Sequence, residues 1–424
     1  MAICYRNAQL IGKQGLFDFD VEDGRFGQIR SADANAVIAP GSNSIDLEGR
    51  LVSSPFCDTH LHLDYVYTSH FEAAENSTGT LFEGISRWHD VKQTATVESV
   101  KERASRAIRE EVLGGTQHIR SHVDVTDPSL TALSAMLELR EEMRDLVDIQ
   151  IVAFPQEGLL GFPRGAELVE EALKMGADAV GAIPHYELTD ADGAQSLRHI
   201  VDLAVRYGKR IDVHCDETDD PMSRHLQTLA ALVHAEDMGT RTTASHTCSL
   251  GSADNAYFFK LLRLLKMSQI NFAVAPAENL YLQGRQDTYP KRRGVTRVKE
   301  LLDEGVNVSL GQDSICDPWY PLGDGSMLNV LDFAVHVSQL MSLDALDTAF
   351  DLITTNGAIT LGLEEYGIGR GKPANFVVLD APSAFDALRR RSDVIRSVRH
   401  GRTLFSREPA RITSDFSLMA GGAW

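Results

Sequence analysis

The residues best suited to chemistry in this sequence are histidines and an aspartate that follow short apolar runs. His60 and His62 are two residues apart, so both imidazoles point the same way in an extended segment, which suits one metal ion. His214 and His246 each close a later apolar run, and Asp313 follows another. A lone His-Xaa-His pair is a weak signal. The presence of further histidines and an aspartate at the ends of other apolar runs favours one shared site for metal binding or acid/base chemistry.

A carboxylate with a possible role in proton transfer is Glu217, three residues after His214. A loop there can turn the carboxylate onto a substrate, and a raised pKa would let it deliver a proton. The alternative is a solvated loop acid, which is our interpretation of its neighbours Asp216, Asp219 and Asp220. His122 and His185 also lie near run ends, but nothing in the sequence pairs with them, and we interpret both as non-functional.

The elements that must position these residues are β-rich apolar runs alternating with helix-like segments such as 97–114. This alternation is typical of βαβ units around a parallel sheet. Eight units predict an α/β fold, a (β/α)₈ barrel over residues 54–369, with catalytic residues at the C-terminal strand ends. The eight runs end at 58–60, 118–122, 151–154, 181–183, 211–214, 243–246, 272–274 and 308–311.

Both ends of the chain have a different pattern, with short strand-like pieces separated by turn residues. Leu16–Val21 is one such piece near the N-terminus, and 374–380 and 394–398 are two near the C-terminus. We expect residues 1–53 and 370–424 to form one small β-sandwich domain.

Charge and composition narrow the class of function. The 424 residues include 60 acidic and 41 basic side chains, a net charge of −19, which argues against nucleic acid or an anionic membrane as partner. No run of about 18 apolar residues predicts a membrane span. The five cysteines are scattered and form no Cys-Xaa-Xaa-Cys motif. These features predict a soluble, cytoplasmic protein that acts on a small molecule.

Longer motifs are more specific than the single residues. They are 45–52 leading into Asp58-Thr59-His60-Leu61-His62, 152–158, 211–217, 243–247, Asp287–Gly294 and Asp317–Gly323. Together they span nearly the whole chain, and they resemble the amidohydrolase superfamily and, within it, bacterial cytosine deaminase. The resemblance implies a metal-dependent aminohydrolase that converts a cytosine-like base, 5-methylcytosine or cytosine, to thymine or uracil and ammonia. It also implies a homo-oligomer.

The same resemblance implies roles for individual residues. One divalent ion, Fe²⁺ or Zn²⁺, would bind His60, His62, His214 and Asp313; imidazole and carboxylate ligands suit either ion. Glu217 would shuttle a proton to the ring nitrogen, His246 would hold the metal-activated water, and Asp313 would take the proton of that water. The implied substrate-binding residues are Gln156 at the pyrimidine carbonyl edge, Trp319 as a wall of the pocket, the backbone near Leu81 and Phe82, and Ser314.

Two segments depart from the cytosine deaminase pattern. The family usually has Gly-His-Asp-Asp where this chain has Gly311-Gln312-Asp313-Ser314, and Asn-Pro-Leu-Xaa-Asn where it has 275–279, Ala-Pro-Ala-Glu-Asn. Ser314 is shorter than aspartate and uncharged, so it opens room for about a methyl group and predicts that a 5-substituted cytosine fits. Another cyclic amidine or guanidine, such as isoguanine or creatinine, remains an alternative substrate.

Alternative functions predict sequence features that this chain lacks. A binuclear hydrolase of the superfamily normally carries a carboxylated lysine at the end of strand four, where this chain reads Ile183-Pro184-His185-Tyr186-Glu187. The Pro-Cys-Xaa-Xaa-Cys motif of the unrelated nucleoside deaminases is absent. A non-catalytic barrel scaffold should have gaps in the ligand set, and none is present.

Overall fold

The computed structural model of the chain describes residues 2–33 and 43–409. The chain divides into two compact units, Met1–Ser53 with Ile368–Trp424, and Ser54–Gly367. Segments 34–42 and 410–424 of the predicted small domain lie outside the described residues. Among the described residues, no helix combines the length and the apolar character needed to cross a bilayer.

The described residues form sixteen strands, numbered in chain order. They are β1 (Ile3–Leu10), β2 (Leu16–Glu22), β3 (Arg25–Ser31), β4 (Ser44–Asp46), β5 (Leu51–Ser53), β6 (Phe56–Leu61), β7 (Thr116–Asp124), β8 (Asp148–Phe154), β9 (Ala179–Ala182), β10 (Arg210–Cys215), β11 (Thr242–His246), β12 (Asn271–Val274), β13 (Val308–Leu310), β14 (Phe376–Leu379), β15 (Val394–Arg399) and β16 (Arg402–Ser406).

Helices connect the strands of the larger unit. The α-helices are α1 (Leu81–Lys92), α2 (Val97–Leu113), α3 (Thr131–Met143), α4 (Gly165–Met175), α5 (Asp190–Tyr207), α6 (His225–Ala235), α7 (Asn255–Ser268), α8 (Pro276–Leu282), α9 (Val298–Asp303), α10 (Met327–Val337), α11 (Leu343–Thr348), α12 (Thr355–Leu361) and α13 (Ala384–Arg390), the last in the smaller unit. Short 3₁₀ turns lie at Glu72–Ala74, Pro184–Tyr186, Gly239–Arg241, Cys248–Gly251 and Ala349–Ile353.

The larger unit is the predicted (β/α)₈ barrel. Strands β6 to β13 are hydrogen-bonded in sequence order, and every pair is parallel. A parallel bridge between Leu61 and Asp313 joins the first strand to the segment after the last. Strands such as β6 and β7 are buried along their whole length, as expected for a parallel sheet covered by helices. The prediction of the fold class is therefore confirmed.

Strand register brings the candidate site residues to one end of this barrel. His214 pairs with Ser245, and Cys215 pairs with His246, so the ends of β10 and β11 lie side by side. After β12 the chain enters α8 at Pro276, where the missing proline N–H costs no helical hydrogen bond. This short helix places residues 277–279 in its first turn, directly after the end of β12.

The smaller unit is one sheet with the strand order β16-β15-β14-β5-β1-β2-β3, and β4 also pairs with β1. Its core contains the buried rings of Tyr5, Phe19, Phe26 and Phe376. The ring centroids of Tyr5 and Phe376 are 4.9 Å apart in an edge-to-face arrangement, which is favourable for aromatic pairs. Strands from both ends of the chain share this core, as the sequence predicted.

Candidate active site

The candidate site is a small cavity at the C-terminal ends of the barrel strands, lined mostly by buried side chains. Imidazole and carboxyl groups dominate its wall, with aromatic side chains closing one side. The lining residues are His62, Tyr65, Leu81, Gln156, His214, Glu217, His246, Glu278, Asp313, Ser314 and Trp319.

His60 is held by a buried chain of hydrogen bonds. The hydroxyl of Ser245 donates to Asp212 Oδ1 at 2.7 Å, so its oxygen must accept from His60 Nδ1–H, 2.8 Å away. Arg120 donates to the other oxygen of Asp212 at 2.8 Å and keeps this carboxylate in place. The proton of His60 is therefore on Nδ1, and the lone pair of Nε2 faces the site.

His62 is oriented in the same way by a different partner. The hydroxyl of Tyr65 donates to Gln156 Oε1 at 3.0 Å and accepts from Nδ1–H of His62. The Nε2 lone pair of His62 then points toward His214, whose Nε2 is 3.0 Å away. Two histidines thus present unprotonated nitrogens because neighbouring hydroxyls fix their tautomers.

The donor atoms of these residues fit a single metal ion. Oδ1 of Asp313 is 3.4 Å from Nε2 of His60 and 3.4 Å from Nε2 of His62. Lone pairs face one another at these distances, and a cation between them removes the repulsion. Such spacings are those of ligand atoms roughly 2.1 Å from a common ion. Ligand atoms of His60, His214, His246 and Asp313 also lie within 4.8 Å of one another, so His246 borders the same position.

Burial keeps the imidazoles in the neutral form that a metal requires. It lowers the pKa of His60 to about 4 and lowers the pKa of His62 and His214 well below the usual value, since a charged ring would be desolvated. Neutral rings keep their lone pairs available near pH 7.

Backbone geometry places Asp313 and His246. Both residues have positive φ angles, 68° and 66°, which non-glycine residues rarely adopt. For Asp313 the conformation is supported by hydrogen bonds on both sides, because its N–H donates to His60 O at 2.7 Å and its carbonyl accepts from His62 N–H at 3.0 Å. The strained position is thus tied to the strand that carries both histidines.

Asn279 links the two remaining candidate catalytic residues. Its side-chain amide donates to Glu217 Oε1 and to His246 Nδ1, both at 3.2 Å. Because Nδ1 of His246 accepts this bond, the ring proton is on Nε2, which has no other partner among the described residues. His246 borders both acids, with its Nδ1 3.5 Å from Glu217 Oε1 and 3.6 Å from Asp313 Oδ2.

Three carboxyl groups lie close together in the cavity, next to the histidines. Oxygen atoms of Glu217, Glu278 and Asp313 lie within 4.8 Å of one another, and all three residues are buried. Burial, followed by the nearby acids, raises the pKa of Glu217 and of Glu278 well above the usual range. Burial likewise raises the pKa of Asp313. A group with a raised pKa can carry a proton near neutral pH, as the sequence analysis required of Glu217.

Most predicted substrate-binding residues line the cavity. Gln156, Ser314 and Trp319 are buried in its wall, and the indole N–H of Trp319 donates to Leu81 O at 3.2 Å. Gly84 lets this ring pack closely, because a Cβ there would come within 2.3 Å of the indole nitrogen. Phe82 differs, since its side chain is 57% exposed and is not part of the cavity wall. Contact of its backbone with a base remains a prediction.

Sequence reasoning underestimated several residues. His122 is buried with its ring centroid 4.0 Å from that of His60 and its Nε2 3.3 Å from Asp212 Oδ1, although neither ring nitrogen has a hydrogen-bond partner among the described residues. Its interpretation as non-functional stays a prediction. Asp216 is also buried and accepts the backbone N–H groups of His225 and Leu226 at the start of α6, which contradicts its assignment as a solvated acid.

Other residues of the site were missed altogether. Tyr65, Glu278 and Asn279 line or support the cavity, although no spacing rule indicates them. The only available signal for Glu278 and Asn279 was their place directly after an apolar run, in a segment that departs from the family pattern. His185 is partly buried and does not line the cavity, and desolvation of its ring lowers its pKa to about 3. The interpretation of His185 as non-functional also stays a prediction.

Comparison with known proteins agrees with this geometry. Residues 43–405 match the profile of the Amidohydrolase family. The N-isopropylammelide isopropyl amidohydrolase of Pseudomonas sp. (strain ADP) is 29% identical over 95% of this chain and 97% of its own length.

Two solved structures are similar over nearly the whole chain. The crystal structure of 5-methylcytosine deaminase from Klebsiella pneumoniae liganded with 5-fluorocytosine has a TM-score of 0.94 and 48% identity, covering 98% of this chain and 99% of that one. The N-isopropylammelide isopropylaminohydrolase of Burkholderia multivorans has a TM-score of 0.82 and 25% identity, covering 96% and 98%.

Proposed function

The chain belongs to the amidohydrolase family, as its motifs predicted, and we propose that it hydrolytically deaminates a cytosine-like base. The products are thymine from 5-methylcytosine, uracil from cytosine, and ammonia. The observation that carries this proposal is the small cavity in which inward imidazole lone pairs meet three buried carboxyl groups. The imidazole groups of this wall suit the binding of a metal ion, and the carboxyl groups suit proton transfer.

The proposed ion is a single Fe²⁺ or Zn²⁺ held by His60, His62, His214 and Asp313. When bound, it supplies a Lewis acid that activates water near neutral pH. The choice between the two ions rests on the resemblance alone, since the donor set suits both. The homo-oligomeric state also rests on the resemblance.

The chain's own residues account for the proton transfers. Asp313 takes a proton from the attacking water as its oxygen adds to C4 of the base, and Glu217 gives a proton to ring nitrogen N3. His246 orients the attacking water through a hydrogen bond. As the C4–N bond breaks, the proton taken up by Asp313 passes to the amino group, which leaves as ammonia. The remaining water proton passes from the C4 hydroxyl to Glu217, which leaves C4=O and restores the acid. Gln156 and Trp319 hold the ring during these steps.

A methyl group at C5 of the base is part of the proposal. Ser314 is buried in the cavity wall directly after Asp313, and an uncharged serine avoids desolvating a carboxylate against an apolar substituent. The similarity to the Klebsiella 5-methylcytosine deaminase supports the same substrate class. We expect 5-methylcytosine to be preferred and cytosine to react as well, because one methyl contact changes kcat/KM by only about 10 to 200-fold.

An ammonia-release screen of the metal-loaded protein tests the proposed function. The compounds are 5-methylcytosine, cytosine, isoguanine and creatinine, ranked by kcat/KM, with chelator-treated protein as the control. We expect 5-methylcytosine and cytosine to rank first. Ammonia from isoguanine or creatinine without turnover of either cytosine would transfer the assignment to another cyclic amidine or guanidine.

A further inference from the structure

Glu278 is a buried acid of the cavity that the proposed mechanism does not use. It lies in the first turn of α8 and is 4% exposed. Helix α8 follows β12, so this carboxyl group reaches the cavity between the end of β11, which carries His246, and the segment after β13, which carries Asp313.

The carboxyl group of Glu278 interacts with Ser314 and Asp313, but one of its oxygens has no hydrogen-bond partner among the described residues. Its Oε2 accepts no hydrogen bond, and the side chain forms no ion pair, within the part of the chain that the structure describes. Glu187, a buried acid outside the cavity wall, shows the contrast, because its oxygens accept from three backbone N–H groups of residues 159–161. An unsatisfied buried carboxyl group is costly, so a hydrogen-bond donor on the substrate is the natural partner for Glu278.

The position of Glu278 indicates which donor that is. Its carboxyl oxygen lies within 4.8 Å of oxygens of both Glu217 and Asp313. In the proposed reaction Glu217 serves the ring nitrogen and Asp313 serves the departing amine, so a group close to both lies beside the exocyclic amino group. The sequence adds an independent observation, since a carboxylate usual in the family is missing at Ser314 while one is present at Glu278.

We propose that Glu278 determines specificity by accepting a hydrogen bond from the exocyclic amino group, which restricts the substrate to unsubstituted amines that leave as ammonia. The inference rests on the proposed function and adds the class of leaving group to it. A carboxyl group offers an acceptor oxygen in either protonation state. An N-alkyl substituent would replace one of the two N–H donors with carbon, and an alkyl group turned toward Glu278 would leave its Oε2 desolvated and unpaired.

The test is the ratio of kcat/KM for cytosine to that for N4-methylcytosine, followed by ammonia and methylamine release. This ratio does not depend on the fraction of active or metal-loaded enzyme, so a merely structural effect leaves it unchanged. We expect the wild type to prefer cytosine by about 100-fold or more. Glu278→Ala should narrow the ratio by about tenfold or more, and Glu278→Gln, which keeps an acceptor oxygen, should fall between the two.

Glu111→Gln is the matched control, because Glu111 is a buried acid in α2 outside the cavity wall. The ratio of kcat/KM for cytosine to that for N4-methylcytosine should be the same in this variant as in the wild type. A wild type that accepts both substrates equally, or a ratio unchanged in Glu278→Ala and Glu278→Gln, overturns the role of Glu278. No release of ammonia from cytosine or 5-methylcytosine by the wild type instead overturns the proposed function. The same pair of variants is then measured on the amine that the screen identifies and on its N-methyl derivative.

Discussion

The cavity has an imidazole side and a carboxyl side, and the protein controls the protonation of these two sides in different ways. The imidazole side consists of His62 and His214, with the rings of His60 and His122 packed against that of His214, and the carboxyl side consists of Glu217, Glu278 and Asp313. Ser245 and Tyr65 fix the protons of His60 and His62 so that lone pairs point inward. On the carboxyl side Asn279 binds Glu217, but Glu278 Oε2 and Asp313 Oδ2 have no hydrogen-bond partner among the described residues.

The difference separates ion binding from proton exchange, and only Asp313 takes part in both, as a proposed ligand and as the proposed base. A histidine ligand must keep one protonation state, so the protein fixes its tautomer with a neighbouring hydroxyl group. Glu217 must exist in two protonation states, and burial beside Asp313 and Glu278 raises its pKa. The following predictions test this division, beginning with the largest expected effect.

Removing a ligand from the imidazole side should abolish the ion site. In His62→Ala we expect metal content to fall from about one ion per chain to near zero and ammonia release to fall to background. The reason is that the variant lacks one of the four proposed ligands, whose Nε2 lies beside His214 Nε2 and Asp313 Oδ1. Elemental analysis and the ammonia assay measure both. His336→Ala, an exposed histidine in α10, is the control. Two tightly bound ions per wild-type chain, or full activity of His62→Ala after chelation, would contradict a mononuclear site.

A change on the carboxyl side should impair proton transfer and spare the ion. Glu217→Gln should retain metal and lose about 10²- to 10⁴-fold in kcat. Burial raises the pKa of Glu217, and the protonated form is the proton donor, so wild-type kcat should fall as pH rises through that pKa. The variant should lose this alkaline limb. A pH profile with an unchanged limb and near wild-type kcat would remove Glu217 from the mechanism.

The edge of the carboxyl side should control substrate choice. Ser314→Asp adds a fourth carboxyl group to this side, beside C5 of the base, and we expect the kcat/KM ratio of 5-methylcytosine to cytosine to fall by about 10 to 200-fold. Ser314→Ala, which adds no charge, should keep the wild-type ratio. A wild-type preference for cytosine of about tenfold or more, or an unmoved ratio in Ser314→Asp, would show that Ser314 does not set specificity.

The hydrogen bond between His60 and Ser245 should strengthen metal binding but should not be essential for it. Ser245→Ala removes the acceptor for His60 Nδ1–H, and we expect metal affinity to weaken by about 10 to 100-fold. Competition with a chelator measures the affinity, and kcat at saturating metal should change less. Ser196→Ala serves as the control, since that buried hydroxyl donates to Gly193 O within α5. Equal affinities for Ser245→Ala and the wild type would mean that tautomer control lies elsewhere.

The barrel and the inner site were accessible from the sequence because each follows a local rule. Parallel strands buried on both faces read as apolar runs, and residues at their C-terminal ends must meet at one rim. His60, His62, His214, Glu217 and Asp313 were therefore predictable as neighbours before any coordinates were considered.

Residues without such a rule needed the fold. Asp216 looks solvated in the sequence because a loop acid among other acids usually is, yet the start of α6 folds back and gives it two N–H donors. His122 looks unpaired because its neighbour Asp212 belongs to a strand about ninety residues further along the chain. Contacts of this separation leave no periodicity in the sequence.

The sequence by itself thus determined the barrel, the terminal β unit and the identity of the groups at the rim, since strand periodicity and residue type are local properties. Only the tertiary structure decided the state of those groups: which imidazole nitrogen carries the proton, which acids crowd together, and that Glu278 lines the cavity with one unpaired oxygen. Protonation and hydrogen bonding depend on distances of a few ångströms between distant segments, and closure of the barrel sets those distances.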